Sequence, residues 1–361
     1  MKIAPVIHAL EHAVKRGHTI SYRIVHTGQH YDPNLSDTFF KELNIPHPHV
    51  NLGAGSGTQA EQTAGIMTGF EKELMSNPTD LVIVVGDVTS TMACAITAKK
   101  LNTRVAHIEA GIRSFDLTMP EEINRMVTDS ITDWFFTTSH FANENLRKAG
   151  IPDNRIFFTG NVMIDTLMKN RPRFVRPAIW QQLSLKDKGF IVITLHRPVN
   201  VDSPENLKRL LGSIADASGG LPVIFPVHPR TRKVIKDFSP AVLQSCGLGA
   251  SPSIHLTEPM SYLEFNYLVE RALAVITDSG GITEETTVMG VPCLTLRDST
   301  ERPETCTIGT NELVGTDPAA IGPVLGKLFN GGWKRGSTPE LWDGKAAERI
   351  VEVIIRELSG V

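Results

Sequence analysis

The stretch ALAVITDSGGITEETTVMGVPCLTL (residues 272–296) combines an apolar strand, a tight Ser-Gly-Gly turn, a helix and a second apolar strand. This order predicts a βαβ unit, because parallel strands need a crossover connection and here the connection is a helix. Free N–H groups at the start of such a helix, beside glycines that allow close approach, are typical of a phosphate-binding turn. Ser279, Gly280 and Gly281 form that turn. The alternative is a glycine-rich turn without a ligand.

The same alternation of strands and helices extends through the rest of the chain. DLVIVVGD (80–87) and RVAHIEAG (104–111) are apolar runs of the kind found in strands buried on both faces of a parallel sheet. FIVITLHR (190–197) and LPVIFPVHP (221–229) repeat the pattern after a proline-containing, charged segment at 169–189. We interpret that segment as an interdomain connection. The sequence therefore predicts an α/β fold with two Rossmann-like domains in series.

Composition and charge favour a globular protein with a small-molecule ligand. The chain has 361 residues, of which 41% are hydrophobic and 21% are charged. A net charge of −3 gives no electrostatic reason to expect nucleic acid or an anionic membrane as a partner. No apolar run approaches the roughly 18 residues of a membrane span, and the N-terminus lacks a signal-peptide pattern. We therefore expect a cytoplasmic protein.

The cysteines and histidines do not suggest a metal or a disulfide. Four cysteines, at positions 94, 246, 293 and 306, are scattered without a Cys-x-x-Cys pair. We expect them to be reduced and mostly buried. The histidines lack the spacing of metal ligands, so we assign no metal.

Three acids follow predicted strands. Asp87 ends one apolar run, Glu109 ends the next, and Glu121 begins the helix after it. Ligands of parallel sheets bind beyond the carboxyl ends of the strands, and a group of carboxylates there suits general acid and base catalysis. The alternative is that these acids cap helices and pair with Arg113 or Arg125.

Polar residues also follow the strands of the second half. Glu285 lies one turn into the helix after the Ser-Gly-Gly turn, where it can accept hydrogen bonds from a ribose. Arg302, in the loop RDSTERPET (297–305), can bind a diphosphate with two hydrogen bonds. His196 and His228 lie at strand ends. Surface ion pairs and structural histidines are the alternatives.

Eight runs together resemble a known family. They are VHTGQHYD (25–32), VVGDVTST (84–91), HIEAGIRSFDLTMPEEINR (107–125), TLHR (194–197), PVHPRT (226–231), EPMSYLEF (258–265), TDSGGITEE (277–285) and RDSTERPET (297–305). In order and spacing they resemble the non-hydrolysing UDP-N-acetylglucosamine 2-epimerases over nearly the whole chain.

The resemblance implies a glycosyltransferase-B-like fold, with two Rossmann-like domains and the active site between them. We expect an N-terminal domain at 1–168, to which the final helix at 344–361 returns, and a UDP-binding domain at 169–343. The first strand of the family and its Gly-Thr/Ala-Arg-Pro motif precede the lysine matched by Lys2, and they have no counterpart here. We therefore expect the first strand to be missing, through either a native start upstream of Met1 or a shortened, less stable domain.

The resemblance also implies an isomerase. The family interconverts UDP-N-acetylglucosamine and UDP-N-acetylmannosamine by eliminating UDP to give 2-acetamidoglucal and then adding UDP back. Asp87, Glu109 and Glu121 match its catalytic acids, and His196 matches a catalytic or diphosphate-contacting histidine. The matched substrate-binding positions are Lys2, Phe265 beside the uracil, Ser279, Gly280, Gly281 and Arg302 at the diphosphate, and Glu285 at the ribose.

The family needs neither a nicotinamide nor another cofactor, and no metal. Its members often form homodimers, and some bind a second UDP-N-acetylglucosamine as an activator. We expect Gln29, His30 and His228 at such a second site.

Four other functions stay open from the sequence. A related epimerase acts on a diacetamido-uronic acid UDP-sugar, and a hydrolysing epimerase releases free N-acetylmannosamine. A retaining glycosyltransferase of the same fold transfers the sugar to an acceptor. A truncated UDP-sugar-binding protein with weak activity is the fourth.

Overall fold

The computed structural model describes residues 1–28, 40–55, 57–249 and 253–360. The chain divides into two compact units. Unit 1 comprises Met1–Lys169 and Glu340–Val361, and unit 2 comprises Asn170–Pro339. In the described part of the chain every strand pair is parallel and helices alternate with strands, which confirms the predicted α/β class.

The strands of the described residues are short and mostly apolar. They are β1 (Val25–His26), β2 (Val50–Asn51), β3 (Leu81–Val85), β4 (Arg104–Ile108), β5 (Trp134–Thr137), β6 (Ile156–Phe158), β7 (Ile191–Thr194), β8 (Val223–Pro226), β9 (Ile254–Thr257), β10 (Ala274–Thr277), β11 (Cys293–Thr295) and β12 (Asn311–Leu313).

The helices of the same residues cover the sheets. They are α1 (Ile3–Lys15), α2 (Gln59–Ser76), α3 (Thr89–Lys100), α4 (Pro120–Ile131), α5 (His140–Lys148), α6 (Val162–Asn170), α7 (Ala178–Gln182), α8 (Pro198–Val201), α9 (Pro204–Ala217), α10 (Pro229–Lys236), α11 (Pro240–Ser245), α12 (Tyr262–Arg271), α13 (Gly280–Met289), α14 (Pro303–Thr307), α15 (Ile321–Phe329) and α16 (Ala346–Ser359). None of these helices has the length and apolar character that a membrane crossing requires.

Unit 1 contains a four-stranded sheet in the order β3-β4-β5-β6. Val85 pairs with Ile108, so the carboxyl ends of β3 and β4 lie side by side. The loops that carry Asp87 and Glu109 begin at these two ends.

β1 and β2 form a separate two-stranded sheet. The run SYRIVHTG (21–28) predicts a strand, and this prediction was wrong in extent, because only Val25 and His26 pair with a neighbouring strand. In the part of unit 1 that the structure describes, β3 is an edge strand, and a groove of about 1060 Å³ is lined by both β1 and β3.

The final helix belongs to unit 1. The Asp165 carboxylate accepts the backbone N–H groups of Ala346 (3.1 Å) and Ala347 (2.7 Å) at the start of α16. Nε1 of Trp342, a fully buried side chain, donates to the carbonyl oxygen of Thr138 at 2.9 Å. The apolar face of α16 then packs into the same core cluster as the buried residues of α1.

Unit 2 contains a six-stranded sheet in the order β12-β11-β10-β7-β8-β9. Successive strands run outward from β7 to one edge and from β10 to the other. The chain therefore reverses direction across the sheet between β7 and β10, which is the switch point where ligands of doubly wound sheets bind.

The segment predicted as a connection packs onto unit 2. Trp180 makes edge-to-face contacts with Phe190 (centroids 5.7 Å apart) and Tyr267 (5.4 Å). Phe174, Ile179 and Leu183 join the same core cluster. Much of this segment is therefore part of the folded unit.

Candidate active site

The phosphate-binding turn lies at the switch point of unit 2. β10 ends at Thr277, and α13 begins at Gly280 with Ser279 as its N-cap residue. The Ser279 side chain makes no capping hydrogen bond. The first N–H groups of a helix have no partner within the helix, so this end can bind an anion.

A buried ion pair borders this turn. An added Cβ at Gly280 would lie 3.1 Å from Oε1 of Glu301, so this carboxylate packs closely against the turn. Nη2 of Arg297 lies 2.6 Å from Oε2 of Glu301. Burial acts to raise the pKa of Glu301, but Arg297 and Arg302 outweigh it and lower the pKa to about 2. The carboxylate beside the turn is thus neutralised by arginine.

Arg302 contacts α13 and Glu285 belongs to it, and both residues are buried. Nε of Arg302 donates to Oε1 of Glu284, and both side chains are almost fully buried. Glu285 accepts a hydrogen bond from the hydroxyl of Tyr262 at 2.7 Å. Burial raises the pKa of Glu285 to about 7. The neighbouring Phe265 is half-buried on α12, the helix that also carries Tyr262.

His196 pairs with an acid that the sequence analysis did not single out. Nδ1 of His196 lies 2.7 Å from Oδ1 of Asp278, and Asp278 is completely buried. The imidazole side chain is 57% exposed. In the sequence, Asp278 is the residue between strand β10 and the Ser-Gly-Gly turn, and this position at a strand end was the available signal.

In unit 1, Asp87 is held by a buried arginine. Oδ2 of Asp87 lies 2.5 Å from Nη2 of Arg125, and Nη1 of Arg125 lies 2.5 Å from Oε2 of Glu122. Nδ2 of Asn124 donates to the backbone carbonyl oxygen of Asp87 at 2.9 Å. The ion pair with Arg125, which we had considered as an alternative to catalysis, is therefore present. The Asp87 side chain remains 26% exposed.

Glu109 occupies a strained backbone position beside a lysine. Its φ is +71°, in the left-handed region that costs a non-glycine residue roughly 1–3 kcal/mol. Oε2 of Glu109 lies 2.6 Å from Nζ of Lys2, and the Glu109 side chain is only 2% exposed. Its backbone N–H donates to the carbonyl oxygen of Phe136 at 3.0 Å. The structure thus brings Lys2 and Glu109 together, as two matched positions.

The two adjacent acids at the start of α4 differ in environment. Glu121 is exposed, and among the described residues no hydrogen bond or ion pair joins it to Asp87 or Glu109. Glu122 is fully buried and accepts the backbone N–H groups of Ser114 (2.9 Å) and Phe115 (3.0 Å). Glu122 was missed from the sequence. The sequence signal was the helical spacing of polar residues along α4. In the structure the polar residues at this spacing are buried, whereas Ile123 and Met126 are exposed.

A second buried network fixes the loops around the acids. Nδ1 of His107 lies 2.7 Å from Oδ1 of Asp129, and Nε2 lies 2.8 Å from the carbonyl oxygen of Gly86. Oδ2 of Asp129 binds Arg113 (2.6 Å) and the N–H of Gly111 (3.0 Å). Burial acts to raise the pKa of Asp129, but His107 and Arg113 outweigh it and hold the pKa below its ordinary value. The loops that follow β3 and β4 are therefore joined through the His107 imidazole and the Asp129 carboxylate.

The remaining predicted positions give less information. His228 is exposed after β8, and Gln29 and His30 lie outside the described residues.

All four cysteines are free thiols, and three of them are buried. In the described ranges, the structure contains no group of three or more side chains arranged as metal ligands.

Comparison with known proteins gives consistent matches. The family model described as UDP-N-acetylglucosamine 2-epimerase matches residues 12–355. The UDP-N-acetylglucosamine 2-epimerase of Methanocaldococcus jannaschii is 40% identical over 98% of this chain and 95% of that protein. The UDP-2,3-diacetamido-2,3-dideoxy-D-glucuronate 2-epimerase of Pseudomonas aeruginosa is 38% identical over 95% of this chain and 94% of that protein. The crystal structure of the M. jannaschii enzyme in complex with UDP-GlcNAc and UDP has a TM-score of 0.85 at 40% identity, and covers 98% of this chain and 95% of that chain.

Proposed function

This chain belongs to the UDP-N-acetylglucosamine 2-epimerase family, and we propose that it reversibly converts UDP-N-acetylglucosamine into UDP-N-acetylmannosamine by inverting C2 of the sugar. The proposal places the protein among the isomerases. It assigns the UDP moiety to unit 2 and the chemistry at C2 to the acids of unit 1.

The pair of carboxylates at the ends of β3 and β4 supports this proposal most directly. Asp87 follows Val85 by two residues, Glu109 follows Ile108 by one, and Val85 pairs with Ile108 in the sheet. Inversion at C2 removes a proton from one face of the sugar and returns a proton to the other. Two proton-handling groups at neighbouring strand ends suit that requirement. Glu121, at the start of α4, is the third acid in the proposal.

The reaction proceeds by elimination and re-addition. A carboxylate takes the C2 proton, the C1–O bond to the diphosphate breaks, and the electron pair of the C–H bond forms the C1=C2 double bond of 2-acetamidoglucal. UDP then adds back to C1 while a proton is delivered to the opposite face of C2. One proton leaves C2 and one proton returns to it, and UDP is released and added back, so the net reaction requires neither an oxidant nor a reductant.

The residues at the switch point of unit 2 suit the departing diphosphate. The N–H groups at the start of α13, with Arg302 and His196, provide donors and positive charge where negative charge develops on the leaving group. Glu285 is suited to accept hydroxyl hydrogen bonds from the ribose, and Phe265 to contact the uracil. Lys2 offsets the charge of Glu109.

A second candidate substrate has specific support. The P. aeruginosa relative that acts on a UDP-diacetamido-glucuronate is nearly as similar as the M. jannaschii enzyme. Such a sugar carries a carboxylate at C6, so a protein that prefers it needs an additional cation near the sugar.

Product analysis tests the proposal. The protein is incubated with UDP-N-acetylglucosamine, and the mixture is resolved by anion-exchange chromatography and proton NMR. We expect an equilibrium mixture of the two UDP-sugars without free N-acetylmannosamine. Release of free sugar together with UDP would show the hydrolysing reaction instead. Turnover of only the UDP-diacetamido-uronate would show that this sugar is the substrate. Binding of UDP without turnover of either sugar would contradict an enzymatic function.

The assembly and location of the protein are part of the same proposal. We place it in the cytoplasm as a homodimer, with a second UDP-N-acetylglucosamine as activator and His228 at that second site. Light scattering after size-exclusion chromatography tests the dimer. A sigmoidal dependence of the rate on substrate concentration, lost in His228→Ala, tests the activator.

A further inference from the structure

Asp278 is a buried carboxylate whose oxygens face only donors from one short segment. Oδ1 contacts Nδ1 of His196 at 2.7 Å. Oδ2 accepts the backbone N–H of Arg197 at 3.0 Å and Nδ2 of Asn200 at 2.9 Å. The N–H of His196 lies 3.2 Å from both oxygens. A buried charge is tolerated only when it is paired and hydrogen-bonded in this way.

The sheet register creates this contact. β7 and β10 are neighbours at the switch point, and Thr194 pairs with Thr277. Their hydroxyl groups lie 2.7 Å apart. Asp278 follows Thr277 directly and His196 follows Thr194 by two residues, so the carboxylate and the imidazole meet just beyond the strand ends. The phosphate-binding turn at Ser279 begins at the next residue.

The contact selects one form of the imidazole. A carboxylate can only accept at Nδ1, so the neutral ring carries its proton on Nδ1 and presents Nε2 as the other nitrogen. The His196 side chain is 57% exposed although Asp278 is completely buried. The ring therefore has one side fixed to the protein and another side accessible to a ligand.

We propose that Asp278 is a positioning residue that acts on the reaction through His196, by fixing its orientation and tautomer beside the leaving diphosphate. The inference depends on the proposed function, in which His196 contacts that diphosphate. When the ring takes a proton at Nε2, this nitrogen becomes a donor toward the departing UDP, and the negative charge of Asp278 stabilises the imidazolium so formed, as a buried aspartate does for a catalytic histidine. The same contacts favour the charged form of the aspartate: burial acts to raise the pKa of Asp278, but the imidazole of His196 and the amide N–H of Asn200 hold it below its ordinary value.

The first test is independent of turnover. Long-range ¹⁵N NMR on the histidine rings of the wild-type protein, with His196 assigned by its loss in His196→Gln, reports which nitrogen carries the proton. We expect the Nδ1–H form for the neutral His196 ring. An Nε2–H form in the wild-type protein would overturn the proposal, even if the protein failed to epimerise any sugar.

The second test separates an effect through His196 from a purely structural one. Asp278→Asn should lower kcat by about 10²- to 10⁴-fold and change KM little, because the donors that bind ground-state UDP remain. In the His196→Gln background, Asp278→Asn should have no further effect on kcat. An equal loss in both backgrounds would show that Asp278 acts by holding the fold, and would overturn the proposal.

Asp317→Asn is the matched control. Asp317 is an exposed N-cap residue of unit 2 whose carboxylate accepts the N–H of Ala319 at 3.0 Å. It should keep wild-type kcat and the wild-type ¹⁵N spectrum of His196. Thermal melts of all variants are compared, and if Asp278→Asn fails to fold, the tautomer of the wild-type ring decides the question.

Discussion

Nη2 of Arg125 lies 2.5 Å from Oδ2 of Asp87, so a buried guanidinium anchors the carboxylate that follows β3. The same guanidinium pairs with Glu122, whose side chain is 0% exposed. The two acids differ because the Asp87 side chain remains 26% exposed and can meet a ligand. Ion pairing and a role in proton transfer are therefore compatible for Asp87, whereas Glu122 serves the fold.

Removal of Arg125 should destabilise unit 1 strongly. Arg125→Ala leaves Glu122 and Asp87 without this partner, and breaking a buried ion pair costs about 3–5 kcal/mol. Urea denaturation followed by circular dichroism measures the loss. The control is Arg147→Ala, which removes exposed ion pairs with Glu144 and Asp153. Exposed pairs contribute at most about 1 kcal/mol, so similar losses for both variants would contradict the assignment.

Gly111 should not tolerate a side chain. Its φ is +77°, and an added Cβ would lie 2.4 Å from the carbonyl oxygen of Ala142. Gly111→Ala therefore combines left-handed strain with a backbone clash, and overpacking of this kind typically costs about 1–3 kcal/mol beyond the strain. Gly150→Ala is the control, since Gly150 has φ +83° with nothing within 4 Å of the added Cβ. Equal shifts of the urea midpoint in the two variants would show that the clash is relieved.

The buried Glu285 should make stability depend on pH. Its pKa is raised from 4.5 to about 7, so between these values the unfolded chain loses the proton while the folded protein keeps it. The free energy of unfolding contributed by this group is therefore highest below about pH 4.5 and falls as the pH rises to about 7. The difference between the pKa values of Glu285 in the folded and unfolded protein corresponds to roughly 3 kcal/mol of unfolding free energy.

Glu285→Gln removes this titration. The difference in unfolding free energy between wild type and Glu285→Gln, measured in urea at pH 5, 6, 7 and 8, should move in favour of the variant as the pH rises and level off above about 7. A constant difference across this range would mean that Glu285 titrates normally in the folded protein.

Strands and helices were predictable where periodic patterns are long. The run at 80–87 contains β3. The sequence patterns at 204–217 and from Gln59 to Met75 predict helices; the first coincides with α9, and the second ends one residue later, at Ser76. The strand at 21–28 was wrong because a strand also needs a neighbour, and only Val25 and His26 have one. The pattern within a segment contains no information about which neighbour is present.

The site was predictable to the extent that parallel topology determines it. Asp87, Glu109 and His196 were selected because they follow strands, and the structure places each just beyond a strand end. Glu122, Asp129 and Asp278 were missed because a position on a helix face or at a strand end does not by itself show which partner an acid has. Arg125 lies one helical turn after Glu122, but His107 is 22 residues from Asp129 and His196 is 82 residues from Asp278, so only the fold brings these last two pairs together.

Elimination and re-addition of UDP require the C2 proton to exchange with solvent, which proton NMR detects after incubation with UDP-N-acetylglucosamine in D2O. We expect deuterium at C2 in both UDP-N-acetylglucosamine and UDP-N-acetylmannosamine, with exchange slowed about 10²-fold or more in Asp87→Asn and Glu109→Gln. Formation of UDP-N-acetylmannosamine that retains its original C2 proton would contradict elimination and re-addition.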